Sequence, residues 1–274
     1  MTAAAAPLFE LGWRGGATAA RLHRRRPGGE ALPWGTLDLA AIAPAEAVEA
    51  RRIWSAGVFT EYASAAAFSA LTAALLECGA PVDLAAMSAD IVVDELFHVE
   101  LCSRLTMELG GGVPIAFDLA SIAPLTSPGA RPLLRAAEIA VATSCVSEAL
   151  SVPAMARSHA LATHPLVRAV LARLLADEGP HARLGDWFLA WAAPQLAPAE
   201  RVQLAHLAAD TIEAYAPLWK DAVCDGCPIP RGLGGHDEVG RTALRATVER
   251  GIVLPLSRHG IVLDAARVAA LAAS

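Results

Sequence analysis

The chain has 274 residues, 55% of them hydrophobic and 18% charged, which is a globular composition and not that of a disordered segment. Its net charge of −6, with basic residues bunched only between Arg21 and Arg26, argues against nucleic acid as a partner. No run reaches the roughly 18 charge-free apolar residues of a membrane-crossing helix. Glu10 and Arg14 interrupt a secretory leader, and five scattered cysteines give no disulfide framework, so a cytoplasmic protein is expected.

Residues 1–43 are rich in Gly, Pro and Arg and read as an irregular extension, in which the Arg21–Arg26 run fits a solvated arm. From about Pro44 to Cys78 apolar residues recur three and four apart, which predicts a first helix, stopped by Gly79-Ala80-Pro81. A second helix is predicted from about Val82 to Leu109, before three glycines at 110–112. Residues 113–130 read as a connecting loop. A third helix follows from about Arg131 to Ala160, bent at Pro153. His164-Pro165 marks the start of a fourth, which runs to Ala193. A fifth is expected from about Pro198 to Val223, then a loop over 224–240, then a helical region from about Arg241 to the end. The loop holds a lone Cys224-x-x-Cys227 pair, which cannot complete a four-cysteine metal site. There is no repeat and no strand-like alternation, so the fold class is all-α. Residues 44–195 make a four-helix bundle, and 196–274 add helices packed on it within the same domain.

Each of the four bundle helices carries carboxylate in an apolar stripe. Glu61 lies in line with Trp54, Val58, Ala65 and Phe68 on the first. On the second, Asp94-Glu95-Leu96-Phe97-His98 places Glu and His three apart. Glu148 lies on the third, and Asp177-Glu178-Gly179-Pro180-His181 repeats the Glu-x-x-His spacing on the fourth. Residues i and i+3 share a helix face, so each such pair can reach one metal ion. Two such pairs and one Glu from each of two other helices form the ligand set of a two-metal carboxylate site in a helical bundle. The candidate ligands are therefore Glu61, Glu95, His98, Glu148, Glu178 and His181. Four carboxylates balance two divalent ions; without metal they would be costly to keep ionised together. His159, His164, His206, His236 and His259 lack this spacing and read as surface or loop residues.

The order Glu, Glu-x-x-His, Glu, Glu-x-x-His resembles the ferritin-like di-iron carboxylate superfamily at all six positions, over about residues 45–195. The gaps are similar too: 34 residues from Glu61 to Glu95, 50 from His98 to Glu148, and 30 from Glu148 to Glu178. The Asp-Glu-x-x-His form resembles bacterial multicomponent monooxygenases and acyl-carrier-protein desaturases. By that analogy Asp94 and Asp177 hold the second ring nitrogens of His181 and His98 across the bundle. Those families usually place Arg before the His, where this chain has Phe97 and Pro180. Arylamine N-oxygenases carry a further His four residues before the fourth-helix Glu, where this chain has Leu174. Aldehyde-deformylating oxygenases are similar in size and spacing. The resemblance implies a ferritin-like bundle with additional C-terminal helices.

It also implies two iron ions, or manganese in their place, with dioxygen as co-substrate. The expected function is an O₂-dependent oxidase or oxygenase acting on a small organic substrate and fed by a separate electron-donor protein. The alternative is iron or peroxide handling, as in ferroxidases, storage ferritins and manganese catalases. Homodimerisation is left open. Cys102, four residues after His98 on the same face, lines the metal cavity or packs in the core. Pro180 removes the N–H that would bond the Ala176 carbonyl. A kink, π-bulge or break between Glu178 and His181 is therefore expected, with both side chains still inward.

Overall fold

Four long helical segments open on proline in the first turn, at Pro44, Pro132, Pro165 and Pro198. There the missing N–H has no helical partner to lose and φ is preset. The computed structural model describes residues 8–116, 122, 124, 126–220, 230–235 and 237–272. Helix α1 (Gly16–Arg25) precedes the long hairpin of α2 (Pro44–Glu77) and α3 (Val82–Glu108). The hairpin turns at Gly79, whose φ of 68° lets the Ala80 N–H reach back to the Leu75 carbonyl. Next, α4 (Pro132–Ala140) leads through a π-helical stretch, Val141–Glu148, into α5 (Ala149–Leu161), and α6 (Pro165–Ala192) completes the bundle. Helices α7 (Pro198–Tyr215), α8 (Pro217–Lys220), α9 (Glu238–Thr247), α10 (Leu254–Arg258) and α11 (Ala265–Ala272) follow, with a second π-helical stretch at Val248–Val253. α7 packs on the first π-helical stretch and α9 on α5. The one β feature among the described residues is an isolated bridge between Leu8 and Ala116.

Two apolar clusters fill the bundle. One joins Phe68 and Leu75 of α2 with Leu184 and Phe188 of α6 and with the C-terminal helices through Val248 and Ile252. The other joins Trp54 and Val58 of α2, Leu101 and Leu105 of α3, and Leu166 and Leu174 of α6, with Phe9 and Trp34 packed on it. Along α2, Glu61 falls between Val58 of one cluster and Phe68 of the other; along α6, Glu178 falls between Leu174 and Leu184. The carboxylates thus sit at the level where the apolar filling divides.

Among the described residues before α2, only α1 and two single 3-10 turns at Gly29–Ala31 and Leu39–Ala41 are regular, and the segment is not a free arm, since Arg26 pairs with Asp94 and Asp90 of α3. Cys224, Cys227 and His236 lie outside the described residues. Segments Pro44–Glu77 and Pro132–Leu161 are long and apolar enough to cross a membrane by length and composition. Both are bundle helices that bring Glu61 or Glu148 inward, and part of their apolar content is buried alanine such as Ala50, Ala65, Ala136 and Ala137.

The distortion expected at Pro180 is absent: α6 is one α-helix from Pro165 to Ala192. Ala176 and Pro180 both lie on its exposed face, where solvent can meet the freed carbonyl. The irregular backbone is on the facing segment instead. Its Ser144 donates to the His181 carbonyl at 2.5 Å and accepts from the Gly185 N–H at 2.7 Å, so a hydroxyl sits between two groups that a helix would pair with each other. This approach needs glycine at 185, where a Cβ would overlap Cys145 Sγ and lie 3.1 Å from Ser144 Cβ. Gly185→Ala should therefore cost about 1–3 kcal/mol as an overpacked contact, in spite of alanine's better helix propensity. Urea denaturation of both proteins measures this; equal or greater stability of the variant would show that the contact is slack.

Candidate metal centre

Helix periodicity turns Glu61 of α2, Glu95 and His98 of α3, and Glu178 and His181 of α6 into one layer. Glu148 joins them from the last residue of the π-helical stretch. All six meet in two overlapping groups. Glu61 and His98 join Glu95 and Glu178 in one group, and Glu148 and His181 join the same two carboxylates in the other. Within each group the donor atoms lie within 4.8 Å of one another. Glu95, His98, Glu148, Glu178 and His181 are at most 3% exposed. The Glu61 side chain keeps 15% of its surface, so the layer is open at that corner alone.

His181 Nδ1 lies 3.0 Å from Glu95 and 3.2 Å from Glu178, and His98 Nδ1 lies 3.4 Å from Glu178, 3.5 Å from Glu61 and 3.7 Å from Glu95. None of these approaches is a hydrogen bond. Both Nδ1 atoms, both oxygens of Glu95 and one oxygen of Glu178 are buried without a hydrogen-bond partner. Such a group costs about 1–3 kcal/mol each when nothing meets it. Glu138 shows the contrast: equally buried, it accepts from the Ser127 N–H and hydroxyl and from Gln203. Ligands at about 2 Å from one ion, roughly at right angles, lie about 3 Å apart. Oxygen and imidazole donors so spaced suit a divalent transition metal. The residues present therefore fit two metal ions, with Glu95 and Glu178 shared between them.

Electrostatics divide the carboxylates in two. Burial pushes Glu61 up to about 8, and pushes Glu148 well above the usual carboxylate range, with the charges of Glu178 and Glu95 adding to it. Burial opposes ionisation of Glu95 and Glu178 as well, but contact with both imidazoles outweighs it and holds the two below the usual range. The imidazoles move the other way. Burial disfavours their charge, yet Asp177 and the ligand carboxylates hold His98 well above its ordinary value, and Asp94 with Glu178 and Glu95 lifts His181 to about 12. Metal-free, the layer approaches neutrality by holding protons on both histidines, Glu61 and Glu148.

The second ring nitrogens face outward. His98 Nε2 lies 3.2 Å from Asp177 and His181 Nε2 lies 3.4 Å from Asp94, so the structure brings both sequence-named aspartates to the histidines across the bundle. Ser64 donates to Glu148 at 3.2 Å, and Arg173 and Arg26 pair with Asp177 and Asp94 respectively. Ser64 and Arg173 could have been found by helix spacing, three after Glu61 and four before Asp177. Arg26 left no such signal. Cys102 is packed in the core at 1% exposure, and burial pushes its thiol well above the ordinary value, so it stays protonated. His164 caps α6 and His259 pairs with Asp186. A cavity of about 390 Å³ is lined by Phe9, Leu11, Val58, Thr106 and Val113, with Val58 one helical turn before Glu61 on α2.

No known family's sequence model matches the chain, and no curated protein matches it in sequence. Its structure is similar to that of "Protein 19 with aldehyde deformylating oxidase activity from Synechococcus", with a TM-score of 0.54 at 19% identity, covering 86% of this chain and 98% of that one. The fold is a ferritin-like helical bundle with a carboxylate and histidine cluster at its centre.

Because Glu95 and Glu178 belong to both ligand groups, Glu95→Ala or Glu178→Ala should abolish binding of both ions, whereas Glu61→Ala or Glu148→Ala should cost one. Metal analysis of Fe(II)-loaded variants distinguishes these, and full metal content in Glu95→Ala would refute the shared-ligand geometry. Metal must also displace protons from groups whose values are raised, so apparent affinity should climb with pH up to and beyond about 8, where Glu61 loses its proton unaided. Calorimetric titration across that range tests the sign; a flat profile from pH 6 to 9 would contradict it.

Proposed function

We propose that the chain is a non-haem di-iron oxidase or oxygenase that uses O₂ on a small organic substrate, with electrons from a separate donor protein. The observation that carries this reading is the pair of overlapping four-residue groups with their unpartnered donor atoms turned to a common centre. Iron bound there would supply dioxygen activation, which none of the side chains can perform.

The chain's own residues then have distinct tasks. Glu95 and Glu178 would serve both ions, and their charged state is already favoured by contact with the imidazoles. Glu61 with His98, and Glu148 with His181, would each complete the ligands of one ion. Asp177 and Asp94 orient the two rings through Nε2, leaving Nδ1 to face the centre. The apolar clusters to either side keep water from the layer and strengthen every charge interaction within it. Glu61, partly exposed, marks the side from which small molecules reach the ions. The cavity that includes Val58, one helical turn from Glu61, is large enough for a short apolar molecule and supports a substrate over a mineral. An alkyl aldehyde is the first substrate to test, because the similar Synechococcus structure carries aldehyde deformylating activity.

The test is anaerobic loading with Fe(II), then O₂ with a chemical reductant and an alkyl aldehyde, following O₂ uptake, formate and ferric iron. Substrate-stimulated O₂ uptake with about two ferric ions per chain is the expected result. Far more ferric ions per chain in a soluble cage would make it a storage protein, and rapid dismutation of H₂O₂ by the manganese form would make it a catalase.

A further inference from the structure

Each imidazole–aspartate pair ends on a guanidinium, and the two guanidinia come from different places. Asp177 takes Arg173 from one turn earlier on α6, and Asp94 takes Arg26 from the segment just after α1. These four side chains keep only 14–19% of their surface, so the pairs are largely withdrawn from solvent. Asp94 divides its oxygens, Oδ1 for Arg26 and Oδ2 for His181 Nε2. Arg26 also spans to Asp90, bonding its carboxylate and its carbonyl at 3.0 Å each, and so clamps one turn of α3.

We propose that Arg26 and Arg173 are positioning residues for different metal ions: Arg26 for the ion completed by His181 and Glu148, and Arg173 for the ion completed by His98 and Glu61. Docking of the N-terminal arm is thereby coupled to occupancy of one ion and not the other. This inference rests on the two-metal reading of the centre.

The reasoning is geometric. An imidazole binds a metal well only with its Nδ1 lone pair aimed at the ion, and the partner at Nε2 sets that aim. An aspartate near the surface has several rotamers; a guanidinium fork selects the one that meets the histidine. Without it, Asp94 is free to turn toward solvent and His181 loses its guide. The arm is fastened to α3 on both sides of this contact. His23 meets Glu100 at 2.8 Å, Glu30 meets Arg104 at 2.7 Å, and the Arg104 guanidinium stands 4.2 Å from the Trp34 ring. Gly29 lies so close to Phe97 that a Cβ there would come within 2.8 Å of the ring. The Arg173 guanidinium stands 5.1 Å from the same ring. Phe97, between the ligands Glu95 and His98, is therefore touched by the arm and by the other positioning arginine.

The test uses the full chain in two backgrounds, Glu61→Ala to keep the ion at His181 and Glu148→Ala to keep the ion at His98, titrated anaerobically with Fe(II) by calorimetry. Arg26→Gln should lower affinity about tenfold in the Glu61→Ala background and leave the Glu148→Ala background unchanged, and Arg173→Gln should do the reverse. Arg26→Lys should recover part of the loss. Equal effects of either arginine variant in both backgrounds, or no effect in either, would overturn the assignment. If a single-ion background fails to fold or bind, the six-ligand protein gives the same answer, since each arginine variant should weaken only one of two binding steps. Coupling of the arm is read separately. Fe(II) should slow tryptic cleavage after Arg24 and Arg25 in the parent chain, because coupling is reciprocal. Unchanged cleavage refutes the arm's part. A parent chain that binds no Fe(II) pair would instead refute the metal reading itself.

Discussion

Four carboxylates and two imidazoles held between two apolar clusters form an arrangement that has to be neutralised. Effective desolvation penalties run to several kcal/mol per buried ion, and four like charges in one layer repel as well. The response is visible in which groups give way. Glu95 and Glu178 touch both imidazoles and keep their charge; Glu61 and Glu148 touch fewer and are pushed toward the protonated form. That division follows position and not residue type, since all four are glutamates. It matches what two shared and two terminal ligands require. The shared carboxylates are ready as anions, and the terminal ones, with the histidines, supply the protons that divalent ions replace.

Placing six side chains in one layer also constrains the backbone. Three of the four contributing segments are plain α-helices through the site, where the 3.6-residue period suffices. The fourth is not: Glu148 ends a π-helical stretch, whose wider turn shifts the facing of every residue after it. The same stretch presses Ser144 into the α6 ladder at His181 and Gly185. A ligand on one helix and the backbone beneath a ligand on another are thus set by a single contact. Gly185 is small because that contact leaves no room for a side chain.

The six candidate ligands were legible because charge at helical spacing inside an apolar stripe is expensive and therefore meaningful. Asp94 and Asp177 were legible through resemblance, and their positions across the bundle could not be computed from spacing. The irregular backbone was sought at Gly179-Pro180 because proline is a strong local signal. It occurs on the facing segment because tertiary contact decides where a helix yields, and Pro180, on the outer face, has solvent to compensate it. The Gly, Pro and Arg content of the first forty-three residues concealed α1 and the docking of Arg26. No local period links Arg26 to Asp94, 68 residues away.

The two candidate ligand groups come out chemically unequal although their residue types are the same. The His98 side has Glu61, the one ligand with residual exposure, and its aspartate is held from within the bundle by Arg173. The His181 side has Glu148, fully enclosed and touched by Ser64, with the Phe68 ring 5.9 Å from the imidazole and its aspartate held by the arm. A molecule approaching through the open corner would reach Glu61 and His98 before Glu148 and His181. Phe9 of the N-terminal segment stacks edge-on against Phe59 and Tyr62 beside Glu61, at 5.4 and 5.3 Å. The segment that carries Phe9 therefore continues, seventeen residues later, into the one whose Arg26 braces Asp94 behind His181.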